Sequence, residues 1–183
     1  RADWLKLDFN LDPCAGCNRT DHGHAEGDGL HAHYLGYYEL LRRLREKYPE
    51  VYLENCSSGG LRIDLGIARL THGAFLSDPD HTRHHLQLFW GASLMLHPSA
   101  CFHFTWSQTV VFYDNNLEQD PIQADMPRHR FDYIIRANML NGFGVSYRLP
   151  ELPDWAVRRL GELIGFFKSD MRRFVGQADM HRL

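Results

Sequence analysis

Short strand-like runs alternate with longer segments of helical periodicity along most of this chain, and this alternation restricts the possible folds more than any other feature. The runs that favour strands are residues 4–9, 51–55, 73–77, 101–106 and 143–147. Helical apolar spacing covers residues 33–48, where Pro49 prevents continuation, and residues 154–168. The helical faces consist of Tyr37, Leu41, Leu44 and Tyr48 in the first segment and Leu160, Leu163, Ile164 and Phe167 in the second. Strands separated by helices predict parallel α/β units.

The charge balance and the length of the apolar runs exclude several classes of partner. The 183 residues carry 23 acidic and 20 basic side chains and no basic stripe, so we expect no nucleic acid partner. No apolar run approaches the roughly 20 residues that span a bilayer, so we expect no membrane insertion. Four scattered cysteines are too few for a disulfide scaffold and favour a reducing compartment.

Polar residues alternate along the first predicted strand. Period-two geometry sends Lys6, Asp8 and Asn10 to one face of that strand. Burial of a lysine and an aspartate costs several kcal/mol, on the order of the desolvation penalty of such ions, unless the two are paired or functional. The pattern therefore predicts either a functional site or an edge strand with a solvated Lys–Asp pair.

The second predicted strand runs into a segment of small residues, Cys56-Ser57-Ser58-Gly59-Gly60, which is followed by Arg62. Glycine permits positive φ and close approach of a ligand, and the small polar side chains can contact hydroxyl groups. The segment matches neither a Walker loop nor a dinucleotide fingerprint. A tight βα turn without a ligand is the alternative interpretation.

Two carboxylates, Asp78 and Asp80, follow the third predicted strand. Carboxylates at the ends of different parallel strands converge at the C-terminal face of a barrel, so Asp8 and Asp78 are candidates to face each other. The alternative is that Asp78 or Asp80 caps a helix that begins near His81.

Two groups of residues have the types found in metal sites. Cys14, Cys17, His22 and His24 lie in a loop over residues 12–29, one of two predicted surface loops; the other covers residues 109–126. The spacing is poor for a structural zinc fold, so we favour a loop without metal, with a zinc-stabilised interaction module as the alternative. The second group consists of His81, His84 and His85, which we interpret as a polar helix face.

Three motifs in order resemble the catalytic core of glycoside hydrolase family 36, the bacterial-type α-galactosidases. They are Lys6-Leu7-Asp8-Phe9-Asn10, Glu54-Asn55-Cys56-Ser57-Ser58-Gly59-Gly60-Leu61-Arg62-Ile63-Asp64, and Ser77-Asp78. The resemblance implies a retaining α-glycosidase on a (β/α)8 TIM barrel, with Asp8 as nucleophile and Asp78 as general acid/base. It also implies substrate-binding roles for Lys6, Asn10, Cys56, Gly59, Gly60 and Arg62. No metal, nucleotide or flavin is needed for this chemistry.

The resemblance also implies how much of a barrel the chain supplies. The nucleophile motif of the family belongs to the fourth barrel strand, so residues 1–183 are expected to form about strands 4 to 8, with the earlier strands outside this chain. The implied partner is a small oligosaccharide or glycoside, and the implied full-length protein is a cytoplasmic homo-oligomer, with secretion as the alternative because the family has secreted members. An α-N-acetylgalactosaminidase and a non-catalytic carbohydrate-binding relative are the alternatives.

Overall fold

A computed structural model describes residues 2–9, 14, 16–78, 82–105 and 122–181. The strands are β1 (Trp4–Asp8), β2 (Tyr52–Cys56), β3 (Gly73–Phe75), β4 (Cys101–Thr105) and β5 (Gly142–Val145). The helices are α1 (Gly29–Lys47), α2 (Leu65–Ala68), α3 (Thr82–Ala92), α4 (Arg128–Ala137), α5 (Asp154–Phe166) and α6 (Arg172–Gln177). Single 3-10 turns cover Pro98–Ala100, Asn138–Leu140 and Leu149–Glu151, and a π-helical turn, Phe167–Met171, joins α5 to α6. All five predicted strands and both predicted helices are confirmed, with shifted ends.

The chain divides into two compact units, Arg1–Phe75 and Leu76–Leu183. In the first unit β1, β2 and β3 pair in parallel, with Lys6 opposite Glu54 and Asp8 opposite Cys56. Paired residues of parallel strands point to the same face of the sheet. This register therefore places Lys6, Asp8, Glu54 and Cys56 on one face.

Helix α1 packs on the opposite face of the first unit's sheet. Tyr37 and Leu41 of α1 form a buried cluster with Leu53 of β2 and Ile67 of α2, and Leu7 packs against that cluster. The prediction that Tyr48 extends the buried face of α1 is wrong. Tyr48 leaves the helix as its C-cap, with φ −134° and ψ 65°, and its side chain is exposed.

The second unit contains the parallel pair β4–β5, in which Phe102 lies opposite Gly142. Its core lies among α4, α5 and the chain around them, with Phe131, Ile135, Leu160 and Leu163 fully or almost fully buried. The predicted apolar face of α5 is thereby confirmed, since Ile164 and Phe167 also pack against this core. A two-pronged ion pair joins the two helices, because Arg159 on α5 donates to both carboxylate oxygens of Asp132 on α4.

Most of the predicted loop over residues 109–126 lies outside the described residues, as do residues 10–13, 15 and 79–81. The loop before α1 is described continuously from Gly16. None of the helices in the described ranges is long and apolar enough to cross a membrane.

Candidate active site

The sheet face opposite α1 in the first unit carries a row of polar side chains. β1 contributes Lys6 and Asp8, and β2 contributes their register partners Glu54 and Cys56. Glu54 and Cys56 are buried, whereas Asp8 lies exposed at the C-terminal end of β1. The predicted alternation of Lys6 and Asp8 on one face is confirmed. Asn10 lies outside the described residues.

Glu54 forms two polar contacts on this face of the sheet. Its Oε1 lies 3.4 Å from the Lys6 ammonium, and its Oε2 accepts a 2.8 Å hydrogen bond from the indole N–H of Trp4. The Lys6 ammonium also lies 4.0 Å from the ring centroid of Phe75 on β3. Glu54 is buried, with 7% of the whole residue exposed, and both of its carboxylate oxygens are therefore paired, as buried charges require. Glu54 was not among the predicted site residues, although a charged residue within a buried strand is a usable signal of a site.

Cys56 lies beside the candidate nucleophile. Burial raises the pKa of its thiol to about 12, and the Asp8 carboxylate acts in the same direction while Lys6 opposes it. The thiol therefore remains neutral at physiological pH. In that state it can donate a weak hydrogen bond from the position next to Asp8 but cannot act as a thiolate nucleophile.

The small residues after β2 form a tight turn. Ser58 and Gly59 have positive φ values of 43° and 80°, and the N–H of Ser57 donates to the carbonyl of Gly59 at 2.9 Å. The Ser57 hydroxyl donates to the carbonyl of Phe9, which ties the turn to the end of β1. Gly59 and Gly60 therefore lie in a tight turn that follows β2. This turn is compatible both with a loop that contacts a ligand and with a βα turn that binds nothing.

Arg62 is buried on the α1 side of this turn. Its guanidinium lies 5.0 Å from the Phe9 ring centroid and 5.9 Å from that of Tyr37, and its Nη1 lies 3.2 Å from Nε2 of His33. Its carbonyl accepts a 2.8 Å hydrogen bond from the Asn55 side chain. These contacts hold the turn against α1, and a direct contact of Arg62 with a sugar stays a prediction.

Asp78 belongs to the second unit. The preceding chain continues the strand direction, because the N–H of Leu76 donates to the carbonyl of Phe102 on β4 at 3.0 Å. The Ser77 hydroxyl oxygen lies 3.2 Å from Nε2 of His84, and Asp78 is half-buried. Because residues 79–81 lie outside the described chain, the predictions about Asp80 and about a helix cap before α3 stay untested.

The interpretation of His84 and His85 as a polar helix face is wrong for His85. His85 is fully buried and stacks on His103 of β4, with ring centroids 4.0 Å apart and planes 20° apart. Burial lowers the pKa of His85 to about 3, assisted by the nearby His103. The ring is therefore neutral, and a neutral imidazole can occupy the apolar side of α3 next to Phe89 without burying a charge.

The loop that follows β1 contains a separate cluster. One ligand atom from each of Cys17, His22 and His24 lies within 4.8 Å of the others. The N–H of Arg19 donates to the Cys17 sulfur at 3.4 Å and holds the pKa of that thiol below its usual range. Cys14 has a free thiol but does not belong to this group.

Comparison with known proteins relates these motifs to one family. The family model described as Melibiase matches residues 1–175. The α-galactosidase Mel36A of Lactobacillus acidophilus is 33% identical over 95 residues, which cover 52% of this chain and 13% of that protein. An α-galactosidase of Escherichia coli is 30% identical over 140 residues, which cover 68% of this chain and 19% of that protein.

Solved structures show the same fold. The GH36 α-galactosidase AgaA of Geobacillus stearothermophilus superposes with a TM-score of 0.72 at 21% identity, over 94% of this chain and 22% of that enzyme. Other structures of AgaA variants contain stachyose or raffinose. The chain thus spans about a fifth or less of the length of these relatives. The predicted fold class, part of a (β/α)8 barrel, is confirmed, and the chain belongs to the Melibiase family of glycoside hydrolase family 36 type.

Proposed function

We propose that the protein is a retaining α-galactosidase in which Asp8 is the nucleophile and Asp78 is the general acid/base. The observation that carries the proposal is the position of Asp8, exposed at the C-terminal end of a parallel strand and flanked by a fixed lysine and a neutral thiol. Active sites of (β/α)8 barrels are built at this end of the strands. The names of the family relatives support galactosides as substrates.

The proposed reaction has two displacement steps. The Asp8 carboxylate attacks the anomeric carbon while Asp78 protonates the departing glycosidic oxygen, and a β-linked glycosyl-enzyme forms. Water, deprotonated by Asp78, then displaces Asp8 and restores the α configuration. This mechanism requires the two carboxyl groups to lie about 5–5.5 Å apart in the working enzyme.

The remaining residues of the face have binding or positioning roles in this proposal. Lys6, held by Glu54 and Phe75, lies on the same face of β1 as Asp8, and in this proposal it orients the carboxylate or contacts a sugar hydroxyl. Cys56 and the following turn with Gly59 and Gly60 lie where they can contact the 2-position of the sugar. Asn10 is assigned to substrate binding by its place in the motif. Arg62 positions the turn through its contacts with α1.

The AgaA complexes support a raffinose-type oligosaccharide as the substrate of this proposed enzyme. All four cysteines are free thiols, which fits the proposal of a reducing, cytoplasmic location. A homo-oligomeric full-length protein is part of the same proposal.

The test is hydrolysis of an aryl α-galactoside by the full-length protein, with wild type beside Asp8→Ala, Asp78→Ala and the exposed control Asp179→Ala. Loss of the nucleophile should lower kcat on the order of 10⁴-fold or more, whereas the control should match wild type. Azide should restore turnover of both catalytic variants. The Asp78 variant should yield the α-galactosyl azide through the covalent intermediate, and the Asp8 variant should yield the β-galactosyl azide by a single displacement.

Three outcomes would overturn the proposal. Wild-type rates in either catalytic variant would remove that carboxylate from the mechanism. Hydrolysis of an aryl α-N-acetylgalactosaminide, offered in parallel, without hydrolysis of the α-galactoside would make the protein an α-N-acetylgalactosaminidase. Tight binding of sugar by wild type without turnover would make it a non-catalytic carbohydrate-binding relative.

A further inference from the structure

We propose that the loop between β1 and α1 binds a zinc ion through Cys17 Sγ, His22 Nε2 and His24 Nε2. The inference is independent of the proposed glycosidase activity, because it rests on the geometry of this loop alone. Cysteine and histidine are the two ligand types most typical of zinc in proteins.

The spacing of the ligand atoms agrees with tetrahedral zinc. Cys17 Sγ and His22 Nε2 lie 3.5 Å apart. With a Zn–S bond of about 2.3 Å and a Zn–N bond of about 2.0–2.1 Å, a tetrahedral angle separates sulfur from nitrogen by about 3.5–3.6 Å. His24 completes a group whose ligand atoms all lie within 4.8 Å of one another, and its ring centroid lies 4.7 Å from that of His22. The three ligand atoms therefore lie close enough together to bind a single ion.

The other ring nitrogen of each histidine already has an acceptor. His22 Nδ1 lies 3.0 Å from Oδ1 of Asp21, and His24 Nδ1 lies 2.9 Å from the carbonyl oxygen of Ala25. Each contact favours the tautomer with the proton on Nδ1, which leaves the lone pair on Nε2. A carboxylate or carbonyl in this position is the usual outer partner of a histidine that binds metal.

His24 Nε2 supplies a second observation. This nitrogen is shielded from solvent, and among the described residues no group forms a hydrogen bond of standard geometry with it. A buried acceptor without a hydrogen bond is costly. A metal ion bound to the lone pair would satisfy it.

The loop backbone holds the cysteine in place before any ion binds. A Cβ atom on Gly29 would lie 2.0 Å from the Cys17 carbonyl oxygen, and one on Gly16 would lie 2.2 Å from the backbone nitrogen of Leu30. Two glycines therefore allow the chain at Cys17 to pack directly on the first turn of α1. Zinc at this point would join the loop that follows the Asp8 strand to the helix that covers the sheet.

Asp21 provides a further link in the cluster. The Arg19 guanidinium pairs with both oxygens of Asp21, at 3.0 and 2.5 Å, so the carboxylate that orients His22 is itself fixed. The short spacing of these residues along the chain is unlike that of a structural zinc fold. In this proposal the three protein ligands come from a single loop and water is the fourth ligand. Such a site does not require a second strand or helix to supply a ligand.

The experiment measures metal directly in the full-length protein. Wild type, Cys17→Ser, His24→Gln and Asp21→Asn are loaded with Zn²⁺, desalted and assayed for zinc by mass spectrometry, and Co²⁺ is then substituted. The control is His129→Gln, which changes an exposed histidine far along the sequence in α4. Circular dichroism establishes that each variant is folded.

We expect wild type and the His129 variant to hold one more zinc per chain than the Cys17 and His24 variants. Cobalt should give a thiolate charge-transfer band in wild type that is absent in Cys17→Ser. Asp21→Asn should retain the band but weaken metal affinity on the order of 10–100-fold. Equal zinc content in wild type and the folded Cys17 and His24 variants, or a wild-type cobalt complex without the thiolate band, would overturn the proposal.

Discussion

Lys6 and Glu54 form an ion pair on the candidate active-site face, and we predict that the coupling between the two charges contributes measurably to stability. The perturbations are Glu54→Gln, Lys6→Met and the double variant. Glutamine keeps the shape of Glu54 and one acceptor oxygen for Trp4 but removes the charge. Methionine keeps most of the lysine stem against Phe75 and removes the ammonium.

The magnitude follows from burial and contact distance. The charged atoms are 3.4 Å apart, the Glu54 side chain is 9% exposed and the Lys6 side chain is 33% exposed. A fully buried pair loses about 3–5 kcal/mol when one partner is removed, and an exposed pair loses about 0–1 kcal/mol. The partial exposure of Lys6 places the expected coupling between these limits, at about 1–2 kcal/mol. Glu54→Gln alone should cost somewhat more, because the Trp4 hydrogen bond loses its charged acceptor.

The assay is urea-induced unfolding of the four proteins at low and high salt. A double-mutant cycle removes the contribution of the ring contact of Lys6 and of the Trp4 hydrogen bond, and it isolates the coupling between the two charges. The coupling should persist at high salt because one partner is buried. A coupling below about 0.3 kcal/mol, which is the error of additivity, would refute the inference that Glu54 fixes the Lys6 ammonium.

Three further predictions concern groups around the site. Arg62→Met should destabilise the protein by about 1–3 kcal/mol through the loss of a half-buried hydrogen bond to His33 and two ring contacts, and an unchanged unfolding midpoint would contradict the role given to this side chain. Folding lowers the pKa of His85 to about 3, so only the unfolded chain binds a proton at this residue as the pH falls below about 6.5. The free energy of unfolding of wild type should therefore fall by about 2 kcal/mol between pH 7 and pH 5 relative to that of His85→Phe. Parallel pH profiles of stability for the two proteins would refute this prediction. Burial raises the pKa of Cys56 and Cys101 to about 12. A thiol reagent should therefore label exposed Cys14 in the native protein but these two only after unfolding, and rapid native labelling of either would contradict its burial.

Local periodicity was sufficient for much of the first unit. Period-two alternation along residues 4–9 placed Lys6 and Asp8 on one face, and the run of small residues after β2 predicted the turn in which Gly59 adopts positive φ. These features depend on the intrinsic geometry of a strand and on the conformational freedom of glycine. Both can be inferred from neighbouring residues alone.

Other features depended on which distant residues the fold brings together. The alternation along β1 does not indicate that Lys6 lies opposite Glu54, because register is set by packing across strands. The burial of His85 against His103 likewise requires knowledge of what covers α3. Arg62 occurs in a motif that implies substrate binding, yet contacts from α1 hold it on the helix side of the turn.

The loop before α1 likewise has some features that the sequence predicted and others that only the tertiary structure shows. Its residue types were evident from the sequence, and their spacing counted against a metal site. Only the tertiary structure shows that Gly16 and Gly29 bring Cys17 against α1, that His22 Nε2 lies 3.5 Å from its sulfur, and that a ligand atom of His24 lies within 4.8 Å of both. Sequence alone determined the five strands, the helices α1 and α5, and the chemical types at the strand ends. Tertiary packing decided which of these groups meet, because contact energies depend on distance in space and not on separation along the chain.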